Sequence, residues 1–91
     1  MSALYRVEIA RRAFKVLATL PRKDQQRIRA AIELLAATAR PPGCVAITGE
    51  TSAYRVRVGD YRVIYEVHDE VLLIQVVRIG HRREVYRKLR V

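Results

Sequence analysis

Apolar and polar residues alternate with a period of two from Tyr5 to Ile9 (Tyr-Arg-Val-Glu-Ile), which predicts a short strand. From Ala10 the period lengthens, and Ala10, Ala13, Phe14 and Leu17 recur at helical spacing. Leu20-Pro21 ends that helix, because the proline ring disfavours the helical region for the residue before it. A second helix begins directly after Pro21, with Asp24 in its first turn, where the helix dipole favours an acid. Ile28, Ile32 and Leu35 form its apolar stripe with Ala31 alongside, while Arg22, Lys23, Arg27, Arg29 and Glu33 lie mostly off it. A turn this short makes the pair a helical hairpin. Arg40-Pro41-Pro42-Gly43 is the predicted stop, followed by a loop to Ser52 with a brief extended piece at Cys44-Val45-Ala46-Ile47.

Beyond Ser52 the period returns to two. Tyr54-Arg55-Val56-Arg57-Val58 alternates strictly, Gly59-Asp60 places glycine first as a type II′ turn requires, and Tyr61–Val67 is the return strand. His68-Asp69-Glu70 turns again. Val71–Ile79 is apolar on nearly every position, the mark of an interior strand, and Gly80 is expected to close it. His81–Val91 reads as a short basic tail with room for one helical turn. The order predicts an α+β fold: an N-terminal strand, a helical hairpin, then a three-stranded antiparallel meander with the helices on one face of the sheet. Residues 1–91 form a single domain, since a chain of 91 residues has no room for two cores.

The two-residue turn also fixes a register. Val58 then pairs with Tyr61, Arg57 with Arg62, Val56 with Val63 and Arg55 with Ile64. Paired residues share a face, so Arg55, Arg57 and Arg62 project together. Val56, Val58, Tyr61, Val63 and Tyr65 project to the other side, towards the helices. Like charges directly opposite each other destabilise a sheet by roughly 0.2–1 kcal/mol. Arg57 facing Arg62 is such a local cost, and sites where local rules fail are candidates for function. A solvated face whose arginine stems cover Ile64 accounts for these three residues equally well. The C-terminal end shifts the balance: Arg78, Arg82, Arg83, Arg87, Lys88 and Arg90 crowd into 13 residues opposed by Glu84 alone, and a meander returns them to the Arg hairpin.

Composition extends this picture. Lys plus Arg number 18, of which 15 are Arg, against 9 Asp plus Glu, giving a net charge of +9. Hydrophobic residues make up 51%, too many for a disordered basic tail. The positive field suits a phosphate backbone, an anionic membrane or an acidic protein. No apolar run approaches a membrane span, and the first residues lack a basic-then-apolar leader pattern, so a cytoplasmic protein is expected. Cys44 is the lone cysteine and reads as a small apolar filler; His68 and His81 are the only histidines. No metal or other cofactor is expected. His81, placed by this reading at the rim of the Arg face, is the side chain there that titrates near neutrality. It also fits a plain surface histidine, Tyr86 fits an aromatic anchor for the tail, and His68 fits a turn residue.

The string Tyr54-Arg-Val-Arg-Val-Gly-Asp-Tyr-Arg-Val-Ile-Tyr65, followed by Val77-Arg-Ile-Gly-His-Arg-Arg-Glu-Val-Tyr-Arg87, resembles RelE toxins of the RelE/ParE superfamily. The upstream strand and the helical hairpin broken at Leu20-Pro21 fit as well, so the resemblance covers almost the whole chain. It implies the toxin of a type II toxin–antitoxin pair. RelE-type members enter the A site of the 70S ribosome and cut mRNA there, with the RNA 2′-hydroxyl attacking the adjacent phosphorus. An acidic antitoxin wraps the toxin and blocks it. The resemblance implies catalytic positions at Arg57, Arg62, His81, Arg82 and Tyr86, and RNA or ribosome contacts at Arg55, Arg78, Arg83, Arg87 and Lys88.

This chain departs from the pattern in two ways. The hairpin and the C-terminal segment are slightly shorter than in the best-known enterobacterial member. Arg55 and Arg57 also stand where lysines are common, and guanidinium cannot act as a base. Arg62 and Arg57 then suit phosphate stabilisation, His81 proton transfer, and Tyr86 the orientation or stacking of a nucleotide. Two other functions remain compatible with the sequence: a ParE-type toxin that inhibits DNA gyrase without nuclease chemistry, and a non-catalytic basic nucleic-acid-binding domain.

Overall fold

The computed structural model describes residues 4–49 and 52–83. Strand β1 (Arg6–Ile9) leads into helix α1 (Arg11–Thr19) and helix α2 (Arg22–Leu35). Strands β2 (Val45–Ala46), β3 (Ala53–Val58), β4 (Tyr61–His68) and β5 (Leu73–His81) follow, with a single 3₁₀ turn at Asp69–Val71 before β5. Leu20 is extended (φ −79°, ψ 158°), as a residue before proline should be, and this breaks the helical hairpin. Gln25 Nε2 donates to the Leu20 carbonyl at 2.9 Å and to that of Ala18 at 3.3 Å, satisfying carbonyls left open at the end of α1.

α2 ends at Leu35, earlier than the proline pair suggested. The carbonyls that would continue it are taken elsewhere: Ala36 O accepts the Tyr5 N–H at 2.9 Å, and Ala39 O accepts the buried Tyr65 hydroxyl at 2.8 Å. On α1, Ala13 and Leu17 are buried, but Phe14, placed on the inner stripe by spacing, is 49% exposed.

The five strands form one sheet in the order β1-β5-β4-β3-β2. The predicted meander is present, and β3 pairs with β4 in the register expected from Gly59-Asp60, including Arg57 opposite Arg62. Gly59 has φ +60°, and Asp60 is not among the described positive-φ residues, which fits a type II′ turn. β1 lies parallel to the outer side of β5 (Val7 beside Ile74), so the sheet is mixed. Gly80 does not close β5, which runs on to His81.

Between β4 and β5 the register slips: Ile64 pairs with Arg78 but Tyr65 with Val76, leaving Val77 as a bulge. The extra residue lets Val76 and Ile79 both face the helices while Arg78 faces away. Helices and sheet enclose one core, in which Leu17, Ile28 and Leu35 meet Val63, Tyr65, Val67, Ile74, Val76 and Ile79. Each fully buried side chain of this size contributes about 1.5–3 kcal/mol of transfer free energy.

Candidate active site on the open face of the sheet

With the helices on one side, strand alternation assigns the other side. Arg55 and Arg57 of β3, Arg62, Ile64 and Glu66 of β4, and Arg78 and Gly80 of β5 share it. The charges on this face are segregated. Near the β4–β5 turn each acid sits beside a basic group: Arg6 lies 3.3 Å from Glu8, and His68 Nε2 lies 3.0 Å from Glu66. Towards the β3–β4 hairpin, Arg57, Arg62 and Arg78 have no carboxylate ion-pair partner among the described residues.

Arg62 is 7% exposed, the one buried charged residue among those described. Its Nη1 reaches only the neighbouring Tyr61 carbonyl, at 3.2 Å, and its Nε has no hydrogen-bond partner. Its β5 neighbour is Gly80, which brings no side chain to the pairing. The Nε of Arg78 is likewise buried without a partner. Burial, and secondarily the nearby Arg12 guanidinium, push the pKa of Arg78 below its ordinary value. A buried cation without a partner is costly, and an oxyanion brought to it recovers charge-assisted hydrogen bonds. The arrangement can hold a phosphate and stabilise negative charge developing on it.

The other expected site residues divide. Arg55 sits two positions before Arg57 on the same face and is half-buried. The Arg82 N–H bonds to the Asp60 carbonyl at 2.8 Å, which ties the start of the tail to the hairpin tip; Arg82 and Arg83 are both exposed. His81 is the correction. Because β5 continues through Gly80, His81 pairs with Tyr61 and takes the helix-bearing face, opposite to Arg62. Its ring meets Tyr61 edge-on (6.0 Å, 80°), and its Nδ1 accepts the Arg83 N–H at 3.3 Å, which leaves Nε2 to carry the proton. His68 is the last residue of β4 rather than a turn residue. Tyr86, Arg87 and Lys88 lie outside the described residues, as does the expected helical turn of the tail.

One cluster gave no local sequence signal. Asp69 accepts from Arg40 Nη2 at 2.8 Å and from the Tyr5 hydroxyl at 2.5 Å, while Arg40 Nε donates to the Tyr54 hydroxyl at 2.8 Å and stacks over its ring. The Arg40 and Tyr5 bonds hold the Asp69 carboxyl below its usual pKa, and the Asp69 and Tyr54 bonds raise that of Arg40. This clasp joins four separate segments at the pole away from the arginines. Among the described residues no group of His, Cys, Asp and Glu could hold a metal, and no helix is long and apolar enough to cross a membrane.

A two-helix layer on a five-stranded mixed sheet with a cationic open face defines a RelE/ParE-type toxin domain. The chain belongs to the family described as ParE toxins of type II toxin–antitoxin systems, whose model matches residues 7–86. It is similar to the toxin structure of the archaeal RelE–RelB complex from Pyrococcus horikoshii, at 31% identity and TM-score 0.76, covering 87% of this chain and 96% of that one. It is similar also to the RelB–RelE complex from Methanococcus jannaschii, at 27% identity and TM-score 0.70, covering 89% and 96%. The intact E. coli RelBE toxin–antitoxin complex shares the fold at 20% identity and TM-score 0.76, over 85% and 95%. No curated protein matches the sequence.

Proposed function

We propose that this toxin is a ribosome-dependent mRNA endonuclease of the cytoplasm, held inactive by an acidic antitoxin. The observation that carries the reading is Arg62: a buried guanidinium with an unpartnered Nε, directly across from Arg57 on the face of the sheet away from the helices. In the proposed reaction the RNA 2′-oxygen bonds to the adjacent phosphorus while the bond from phosphorus to the 5′-oxygen breaks. A base takes the 2′ proton, an acid returns one to the 5′-oxygen, and the products are a 2′,3′-cyclic phosphate and a 5′-hydroxyl. Arg62 and Arg57 stabilise the charge gathering on the phosphoryl oxygens, and neither guanidinium can serve as the base.

His81 is assigned proton transfer as the imidazole one pairing away from Arg62. Tyr86 is assigned to orient the nucleotide. Arg82, whose N–H ties it to the hairpin tip, is assigned to the catalytic set beside Arg62 and Arg57, and Arg55, Arg78, Arg83, Arg87 and Lys88 are assigned to mRNA and ribosomal RNA. The antitoxin assignment draws on the RelE–RelB complexes and on the charge of +9.

Translation in vitro with the purified chain, with mRNA ends read by primer extension, tests this. New ends inside A-site codons are expected, and their absence overturns the proposal. A second reading has its own support. The family model is that of ParE toxins, and His81 lies off the arginine face. Inhibition of DNA gyrase supercoiling without mRNA cleavage would establish that reading instead.

A further inference from the structure

At the outer edge of the arginine face, β2 borders a cavity of about 300 Å³ lined by Val45, Ala46, Ile47, Thr48 and Arg55. Val45 is opposite Arg55 and therefore shares the arginine face, yet it is 46% exposed. The hydrogen-bond phase of the edge follows from one contact. Ile47 donates its N–H to the Ala53 carbonyl at 3.0 Å, so the pairs 47–53 and 45–55 exchange the ladder bonds, and the pair Ala46–Tyr54 between them does not. The N–H and C=O of Ala46 both point away from the sheet, side by side, on an exposed residue.

We propose that this ledge is a nucleobase subsite: the base next to the phosphate held by Arg57 and Arg62 lies against Val45 and Ile47, and its edge pairs with the N–H and C=O of Ala46. The inference rests on the endonuclease reading and adds where the substrate's base is read. Every nucleobase offers neighbouring donor and acceptor atoms on an edge together with a flat apolar face, which is what the ledge complements. The charge beside it is that of a polynucleotide-binding face, with Arg57 about 7 Å further along β3 from Arg55. A peptide strand fits poorly. β2 has two residues and one outward pair, and Gly43 (φ +91°) leaves the extended conformation just before it.

The test uses the full chain and two uncut RNA probes: a 2′-deoxy-substituted single-stranded trinucleotide, and the same molecule made abasic at one position. Wild type is expected to bind the intact probe about tenfold or more tightly than the abasic one, with the Ala46 amide NMR signal shifting only for the intact probe. Val45→Ser should remove that preference and leave abasic binding within twofold. Ala46→Pro should do the same while the fold persists, because the lost N–H takes no part in the ladder. Equal binding of both probes by wild type, or an unchanged preference in the folded variants, overturns the subsite. Self-association through β2 that Val45→Ser weakens, with no base preference, overturns it in favour of a second copy. Failure of the nuclease reading shows up separately, as wild type that cuts no mRNA on ribosomes. If wild type cuts and both variants keep its cut positions, the subsite alone is wrong.

Discussion

Arg62 and His81 sit one pairing apart on neighbouring strands and face opposite sides of the sheet. That separation gives their substitutions different signatures. Arg62→Ala should slow single-turnover cleavage by about 10²–10³ at every pH, since it removes a charge stabiliser that does not titrate near neutrality. Arg62→Met should slow cleavage comparably and raise folding stability by about 1 kcal/mol, measured by urea unfolding. It replaces a buried cation that faces Arg57, has no carboxylate partner among the described residues and leaves its Nε unsatisfied with an apolar side chain of similar reach. A loss of both stability and activity would make Arg62 a structural residue. His81→Ala should slow cleavage by on the order of 10²–10⁴. If His81→Ala keeps the wild-type rate and Tyr86→Phe loses it, proton transfer belongs to Tyr86.

The elements are held in place by turns and by the clasp on Asp69, and each can be tested separately. A Cβ at Gly59 would lie 3.2 Å from Arg27 Nη2 in a positive-φ conformation, so Gly59→Ala should cost about 1–2 kcal/mol of stability by urea unfolding. The clasp should give a pH signature. Arg40 and Tyr5 hold the folded-state pKa of Asp69 below its ordinary 3.8. Its contribution is therefore complete above the unfolded value and disappears as pH falls through the lower folded one. Asp69→Asn should lower the thermal midpoint near neutrality, and the two midpoint curves should converge in acid; parallel curves would assign the stability elsewhere. The β3–β4 register was legible in the sequence because a two-residue turn dictates every pair beyond it. The shared side of Arg55, Arg57 and Arg62 came with it. The clasp was not legible, because Tyr5, Arg40, Tyr54 and Asp69 meet only after the sheet closes. The parallel docking of β1 on β5 was hidden for the same reason. The face of His81 is not legible because Gly80 resembles a strand end in the sequence, whereas pairing with Tyr61 carries the strand one residue further. The bulge at Val77 interrupts the period of two, so the apolar run there could not show which residues face the core.

At the scale of the whole molecule, the dominant quantity is charge: +9, with Glu8 and Glu66, among the described residues of the sheet face away from the helices, lying beside Arg6 and His68 at the end away from Arg57 and Arg62. A field of this sign acts on encounter before any contact forms, so its effect belongs in the association rate. Binding of an acidic antitoxin should be fast at low ionic strength and slow markedly as salt rises. The Debye length shrinks from about 10 Å at 0.1 M to about 3 Å at 1 M. The dissociation rate should respond much less, because once the complex has formed it is governed by short-range packing. Stopped-flow association between about 0.05 and 0.5 M salt separates the two. Replacing Arg82 and Arg83 by Gln, exposed positions at the tip of the arginine face, should reduce the salt dependence of the association rate while leaving dissociation nearly unchanged. A rate indifferent to salt would mean that the antitoxin finds the toxin through apolar contact. The arginine field would then be left to the ribosome alone, and cleavage rather than antitoxin capture would be the step that salt suppresses.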